Sequence, residues 1–130
     1  MGPGRPCVGF GAVVALRGDV FWVSLSGAGS EPAGRLPAVV IQHDRYNRSA
    51  IGTTIIAAIT SNLRLSGMAG NVRLPKGEAG LSRASVVNIS QVVTVEKARL
   101  TERIGALSAG KRAELIEALA LILGPDLAPH

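Results

Sequence analysis

The sequence predicts a mainly β fold: a small, strongly bent antiparallel sheet or open barrel, capped by one C-terminal helix. Three observations lead there. Short β-branched and apolar runs recur from residue 18 to about residue 104, separated by breaks rich in Gly, Pro, Ser and Asn. Only residues 108–124 combine helical apolar spacing with start and stop signals. Apolar residues form 47% of the 130 and aromatics only 3%, so the core must be built from Val, Ile, Leu and Ala, and the length suits one domain.

The elements follow in order. GDVFWVSLS (18–26) sets Phe21, Val23 and Leu25 opposite Val20 and Trp22, the alternation of a strand. SGAGSEPAGRLP (26–37) reads as a long connection, because its Gly, Ser and Pro oppose regular structure. AVVIQ (38–42) is a short buried strand, and HDRYNRS (43–49) is polar turn chemistry with room for one helical turn. TTIIAAIT (53–60) is a third strand, ending at Thr60. NVRLP (71–75) is a brief fourth, closed by its proline, and KGEAGLSR (76–83) is a loop. ASVVNISQVVTV (84–95) is a long strand with Val87, Ile89 and Gln91 on one face, and a last short strand includes Ile104. In the helix, Ser108 is the N-cap and Gly124-Pro125 the stop. Ile116, Leu119, Ala120 and Leu123 are the stripe expected to meet the sheet.

Composition excludes several classes. The chain is neither low-complexity nor collagen-like, and no apolar run is long enough to span a bilayer as a helix. Cys7 stands alone, so no internal disulfide or zinc-spaced cluster is expected, and a reducing, cytoplasmic setting follows. Four early glycines and Arg17 argue against a signal peptide, leaving residues 1–16 as a flexible N-terminal extension or the product of an over-called start codon, and 125–130 as a tail. Net charge is +5, all of it central: residues 35–83 carry Arg35, Arg45, Arg48, Arg64, Arg73, Lys76 and Arg83 against Asp44 and Glu78, while the flanks cancel. A basic region of that kind attracts polyanions, nucleic acid first among them.

Taken in sequence, RGDVFWVSL, GSEPAGR, VVIQHDRYN, AAITSN, GNVRLPKGEAGL, SVVNISQ and TVEKARLTERIG resemble the MazF/PemK (Kid) toxins, endoribonucleases of type II toxin–antitoxin systems. The resemblance runs from residue 17 to about 123 and marks 17–124 as one toxin-like domain. It implies a MazF/CcdB-like, SH3-like barrel with a C-terminal helix, assembled as a homodimer. It also implies cleavage of single-stranded RNA without metal or other cofactor, by attack of the ribose 2′-hydroxyl on the adjacent phosphate. The implied protein partner is an antitoxin whose acidic, partly apolar C-terminal tail fills the RNA groove; no membrane is involved.

Such chemistry needs a base for the 2′-hydroxyl, an acid for the leaving oxygen and donors for the dianionic phosphorane. The family's Thr is present as Thr60, followed by Ser61 and Asn62. Its Arg, immediately before the loop-closing proline, is replaced: Leu36 precedes Pro37. Either neighbouring Arg35 takes over the phosphate contact, aided by the freedom of a Gly-flanked loop, or the protein is a weakened relative. Glu31 matches the family's loop acid, for proton transfer or base contact, and Ser30 beside it is a hydrogen-bond donor. Gln91 matches a groove-lining Gln, but Val93 stands where an Arg often follows. Arg64 and Arg73 are the expected phosphate contacts, and Trp22 and Tyr46 are able to stack on bases. His43 and His130 are assigned no role. A gyrase-binding toxin of the CcdB type, on the same fold, is the alternative from another functional class.

Overall fold

The computed structural model describes residues 14–26 and 33–124. Six strands, β1 (Asp19–Ser26), β2 (Ala33–Val40), β3 (Thr53–Thr60), β4 (Val72–Leu74), β5 (Ser85–Glu96) and β6 (Leu100–Ala106), join a one-turn helix α1 (Asp44–Asn47) and a C-terminal helix α2 (Ala109–Leu123). The strands form one curled antiparallel sheet in the order β4-β5-β3-β2-β1-β6.

Both faces of its central strands are buried. Val20, Val39, Ala57 and Val87 belong to one cluster with Leu115 and Ala118 of α2. Phe21, Val23, Ala38, Val40, Ile56 and Val95 form the other, which also takes in Ala15, two residues ahead of the boundary expected at 17. Burial on two faces explains why 38–41 and 55–59 read as unbroken apolar runs rather than as alternating ones. Curvature comes from register breaks. Ala57 pairs with Val92 but Ala58 pairs with Asn88, so residues 89–91 of β5 bulge out of the ladder with β3.

Two expectations are corrected. Residues 33–37 are strand, not loop: β2 begins at Ala33 and pairs along its length with β1, Arg35 with Ser24 and Leu36 with Val23. The long partner strand supplies a ladder that overrides the local breaking tendency of Gly34 and Pro37. In α2 the buried residues are Leu115 and Ala118, with Leu119 partly covered, while Ile116, Ala120 and Leu123 face outward. Two neighbouring stripes of this helix are apolar, and periodicity alone does not choose between them.

Candidate functional site

A cleft opens where the two central strands part. β2 and β3 share only three pairs, the last toward the cleft being Ala38–Ala58. Beyond it β2 follows β1 and β3 follows β5. Pro37 sits just past that last pair and has no N–H to continue the ladder. Between the diverging strands lies a hollow of about 580 Å³, lined by Trp22, Leu36, Pro37, Thr60, Ser61, Ser82, Arg83, Gln91 and neighbouring apolar residues.

Thr60 holds the lip of β3. Its Oγ1 accepts a hydrogen bond from the N–H of Asn62 at 3.1 Å, and its own proton has no acceptor among the described residues. That hydroxyl is a donor available to a ligand. Ser61 and Arg83, both exposed, and the half-buried Gln91 also lack side-chain partners among the described residues. Gln91 owes its position to the β5 bulge. Among the described residues lining the cleft, Arg83 is the single charged one.

Leu36 and Thr60 belong together. Carrying the β2–β3 register two residues past Ala38–Ala58 brings Leu36 toward Thr60, and both line the cleft. Leu36 therefore brings an apolar side chain and no charge to the cleft wall beside Thr60. Arg35, one residue earlier on a strand, points to the opposite face. There, on the face that Trp22 and Pro37 share, its guanidinium lies 4.5 Å from the ring centroid of Trp22 at the cleft's edge, and Nη2 donates to Glu102 Oε1 at 3.0 Å. The Gly-flanked loop freedom expected at Arg35 is absent, because the residue is fixed in β2 by its pairing with Ser24.

The other expected site residues are dispersed. Asn62 caps the 3₁₀ turn at Leu63–Gly67 by accepting from the N–H of Arg64, whose side chain is exposed. Arg73, on β4, pairs with Val86, which pairs with Thr60, so Arg73 and Thr60 share a face two strand spacings apart, about 10 Å. Neither arginine lines the cleft. Ser30 and Glu31 lie outside the described residues. Tyr46 is exposed on α1, beyond the far ends of β2 and β3, while Trp22 lines the cleft. Sequence reasoning counted Arg83 only within the basic stretch; a lone Arg in a polar loop carries no signal of its own.

At the far end of the same two strands the polar groups are engaged with one another. Buried Asn47 donates Nδ2 to Gln42 O at 2.8 Å and to Asp44 Oδ1 at 3.1 Å. Its Oδ1 accepts from Gln42 Nε2 at 3.0 Å and from buried Thr54 Oγ1 at 2.9 Å. Asp44 also accepts from the Arg17 N–H at 2.7 Å. Burial works to raise the pKa of Asp44, but that N–H, the Asn47 amide and the charges of Arg48 and Arg112 together hold it below the ordinary aspartate value. A larger hollow, about 880 Å³, lies between α2 and residues 70–72. Its charged residues are Glu114 and Glu117, which disqualify it for a polyanion.

Residues 16–123 match the family described as PemK-like, MazF-like toxin of type II toxin-antitoxin system. Endoribonuclease MazF2 of Mycobacterium bovis and Endoribonuclease MazF6 of Mycobacterium tuberculosis are each 43% identical to this chain over 112 residues, spanning 85% of it and 98% of the relative. Among solved structures, MazF from Deinococcus radiodurans is 28% identical over 86% of this chain and 98% of its own, with a TM-score of 0.69. The Mycobacterium tuberculosis toxin MazF-mt6, 23% identical over 81% of this chain and 95% of its own, shares the fold at a TM-score of 0.67.

Proposed function

The chain belongs to the PemK-like, MazF-like toxins of type II toxin–antitoxin systems, and from that premise we propose that it is an endoribonuclease cutting single-stranded RNA. The identity of 43%, across nearly the full length of relatives named endoribonucleases, carries this reading and disfavours the gyrase-binding alternative. The cleft supplies matching chemistry: a Thr60 hydroxyl whose proton has no acceptor among the described residues, the donors Ser61 and Gln91, and positive charge from Arg83.

In this reading the substrate provides the nucleophile. Its 2′-oxygen bonds to phosphorus, the bond from phosphorus to the 5′-oxygen breaks, and a 2′,3′-cyclic phosphate and a 5′-hydroxyl result. No metal is required to generate an attacking oxygen, and the need for a 2′-hydroxyl restricts the reaction to RNA. Thr60 donates to a non-bridging phosphate oxygen, Glu31 serves proton transfer, Ser30 and Asn62 contact the strand, and Arg64 and Arg73 hold phosphates outside the cleft.

The same reading includes a homodimer, which would cover Val92 of β5 and the outward Ile116, Leu121 and Leu123 of α2. It also includes an antitoxin whose acidic, partly apolar tail competes for the cleft. A solved MazE-MazF structure from Deinococcus radiodurans, matching this chain at a TM-score of 0.67 and 26% identity, supports a protein partner. The place of action is the cytoplasm, where RNA is found; no helix among the described residues is long and apolar enough to cross a membrane.

Purified protein incubated with a long RNA in EDTA tests the proposal. Discrete cuts bearing 5′-hydroxyl ends, abolished by a single 2′-deoxy substitution at the cut nucleotide, are expected. RNA left intact at every enzyme concentration overturns it and leaves the weaker member, binding RNA and antitoxin without cutting, which Leu36 favours.

A further inference from the structure

We propose that Arg83 is the cation that grips the scissile phosphate in this chain, on the far wall of the cleft from the position that Leu36 leaves uncharged. The inference rests on the endoribonuclease reading above. A phosphorane carrying two negative charges needs a positive group beside its non-bridging oxygens, and a guanidinium meets two of them at once. Leu36 offers none. Arg35 is not among the residues lining the cleft; it lies against the ring of Trp22, at the cleft's edge, and is engaged there by Glu102. Among the described residues Arg83 alone brings charge to the cleft wall, in a hollow that also holds Thr60, and none of them forms an ion pair with it. The apolar side chain of Leu36 lowers the polarity opposite, which strengthens a guanidinium–phosphate contact.

The loop under Arg83 is braced as a binding residue requires. The Ser85 hydroxyl donates to Arg83 O at 2.9 Å, and Ser85 is itself buried. Upstream, the Gly77 N–H donates to Leu81 O at 2.8 Å and the Leu81 side chain is buried in the core. Glu78 accepts the Ser108 N–H at 2.6 Å, tying the loop to the start of α2. Ala79 adopts a left-handed backbone at φ 54°, and its carbonyl lies so close to Gly105 that a Cβ there would sit 2.3 Å from the oxygen. Gly105 thus lets β6 and this loop meet, and the meeting sets where residues 81–85 emerge. In the reaction Arg83 binds charge and moves no proton.

Single-turnover cleavage of an RNA of mapped site, by the full chain and its variants, tests this. Arg83→Ala should lower the rate about 10²- to 10³-fold, with the melting temperature unchanged because the side chain is exposed, and Arg83→Lys should recover part of the loss. Adding Leu36→Arg to Arg83→Ala should raise the rate at least about tenfold, since a guanidinium then faces Thr60 from the other wall. Arg83→Ala cutting within about threefold of the parent, or Arg35→Ala losing more than Arg83→Ala, overturns the inference while the endoribonuclease reading stands. A parent that never cuts overturns that reading instead. Arg83 is then read from binding of a 2′-deoxy-blocked RNA, where Arg83→Ala should lower the salt slope by about 0.7. An unchanged slope there overturns the phosphate contact.

Discussion

β2 and β3 treat polar groups in opposite ways at their two ends. Where they run into and out of α1, Gln42, Asp44, Asn47 and Thr54 satisfy one another behind a closed ladder. Where they part beyond Ala38–Ala58, Thr60, Ser61 and Gln91 keep donors with no partner among the described residues. Both ends are rich in the same residue types, so composition does not tell them apart. What differs is closure. A polar group whose partners are fixed in the fold stabilises it, and one left open on a rigid frame is available to a ligand.

Two threonines on one strand give the sharpest test, because the same substitution should act on different quantities. Thr60→Val should lower RNA cleavage by about 10²- to 10³-fold and leave the melting temperature nearly unchanged, since only a half-buried lip hydroxyl is lost. Thr54→Val removes a buried hydrogen bond to Asn47 and should cost about 1 kcal/mol, roughly 4 °C in melting temperature for a chain of this size, with cleavage per folded molecule intact. Thermal melts and single-turnover rates on both variants decide it. If Thr54→Val also damages cleavage in the folded protein, the two ends are coupled and the division fails.

Charge divides the molecule less cleanly. Arg64 and Arg73 lie outside the cleft and form no ion pair among the described residues. Replacing both with Gln should flatten the salt dependence of RNA binding by about 1.4 in logarithmic slope, the release expected for two phosphate contacts on a single strand. The matching pair at the closed end, Arg45 and Arg48, should change it less. Equal changes would mean that RNA follows net charge and not the open end.

The legible parts of this fold were those set by local chemistry. The apolar runs of β2 and β3, the Ser108 cap, which accepts from the Lys111 N–H, and the left-handed Gly124 that ends α2 could all be read off neighbouring residues. The start of β2 could not, because Ala33 to Pro37 are strand only through pairing with β1. The face of α2 could not either, because Leu115 and Ile116 are equally apolar and only the sheet distinguishes them. Thr60 was visible at the end of a β-branched run. Arg83 reaches the cleft through a tertiary route, a loop pinned to Ser108 and Gly105, which no spacing along the chain records.

The smallest expected effect is a pH dependence confined to the closed end. Asp44 is held below its ordinary pKa, despite burial, by the Arg17 N–H, the Asn47 amide and two nearby arginines. In the folded state it therefore binds fewer protons than in the unfolded chain. That contribution to stability is complete above the unfolded aspartate value, and it is lost as pH falls from there through the folded one. Asp44→Asn keeps an oxygen for Arg17 and Asn47 but cannot titrate. Its urea midpoint should lie below the parent's at neutral pH, and the gap should close as pH falls toward about 3. At the open end Thr60, Ser61, Ser82 and Gln91 do not titrate in this range. Substituting Thr60 or Gln91 should therefore shift the midpoint equally at every pH, if at all. A gap for Asp44→Asn that stays constant with pH would remove the electrostatic account of the closed end and leave only its hydrogen bonds.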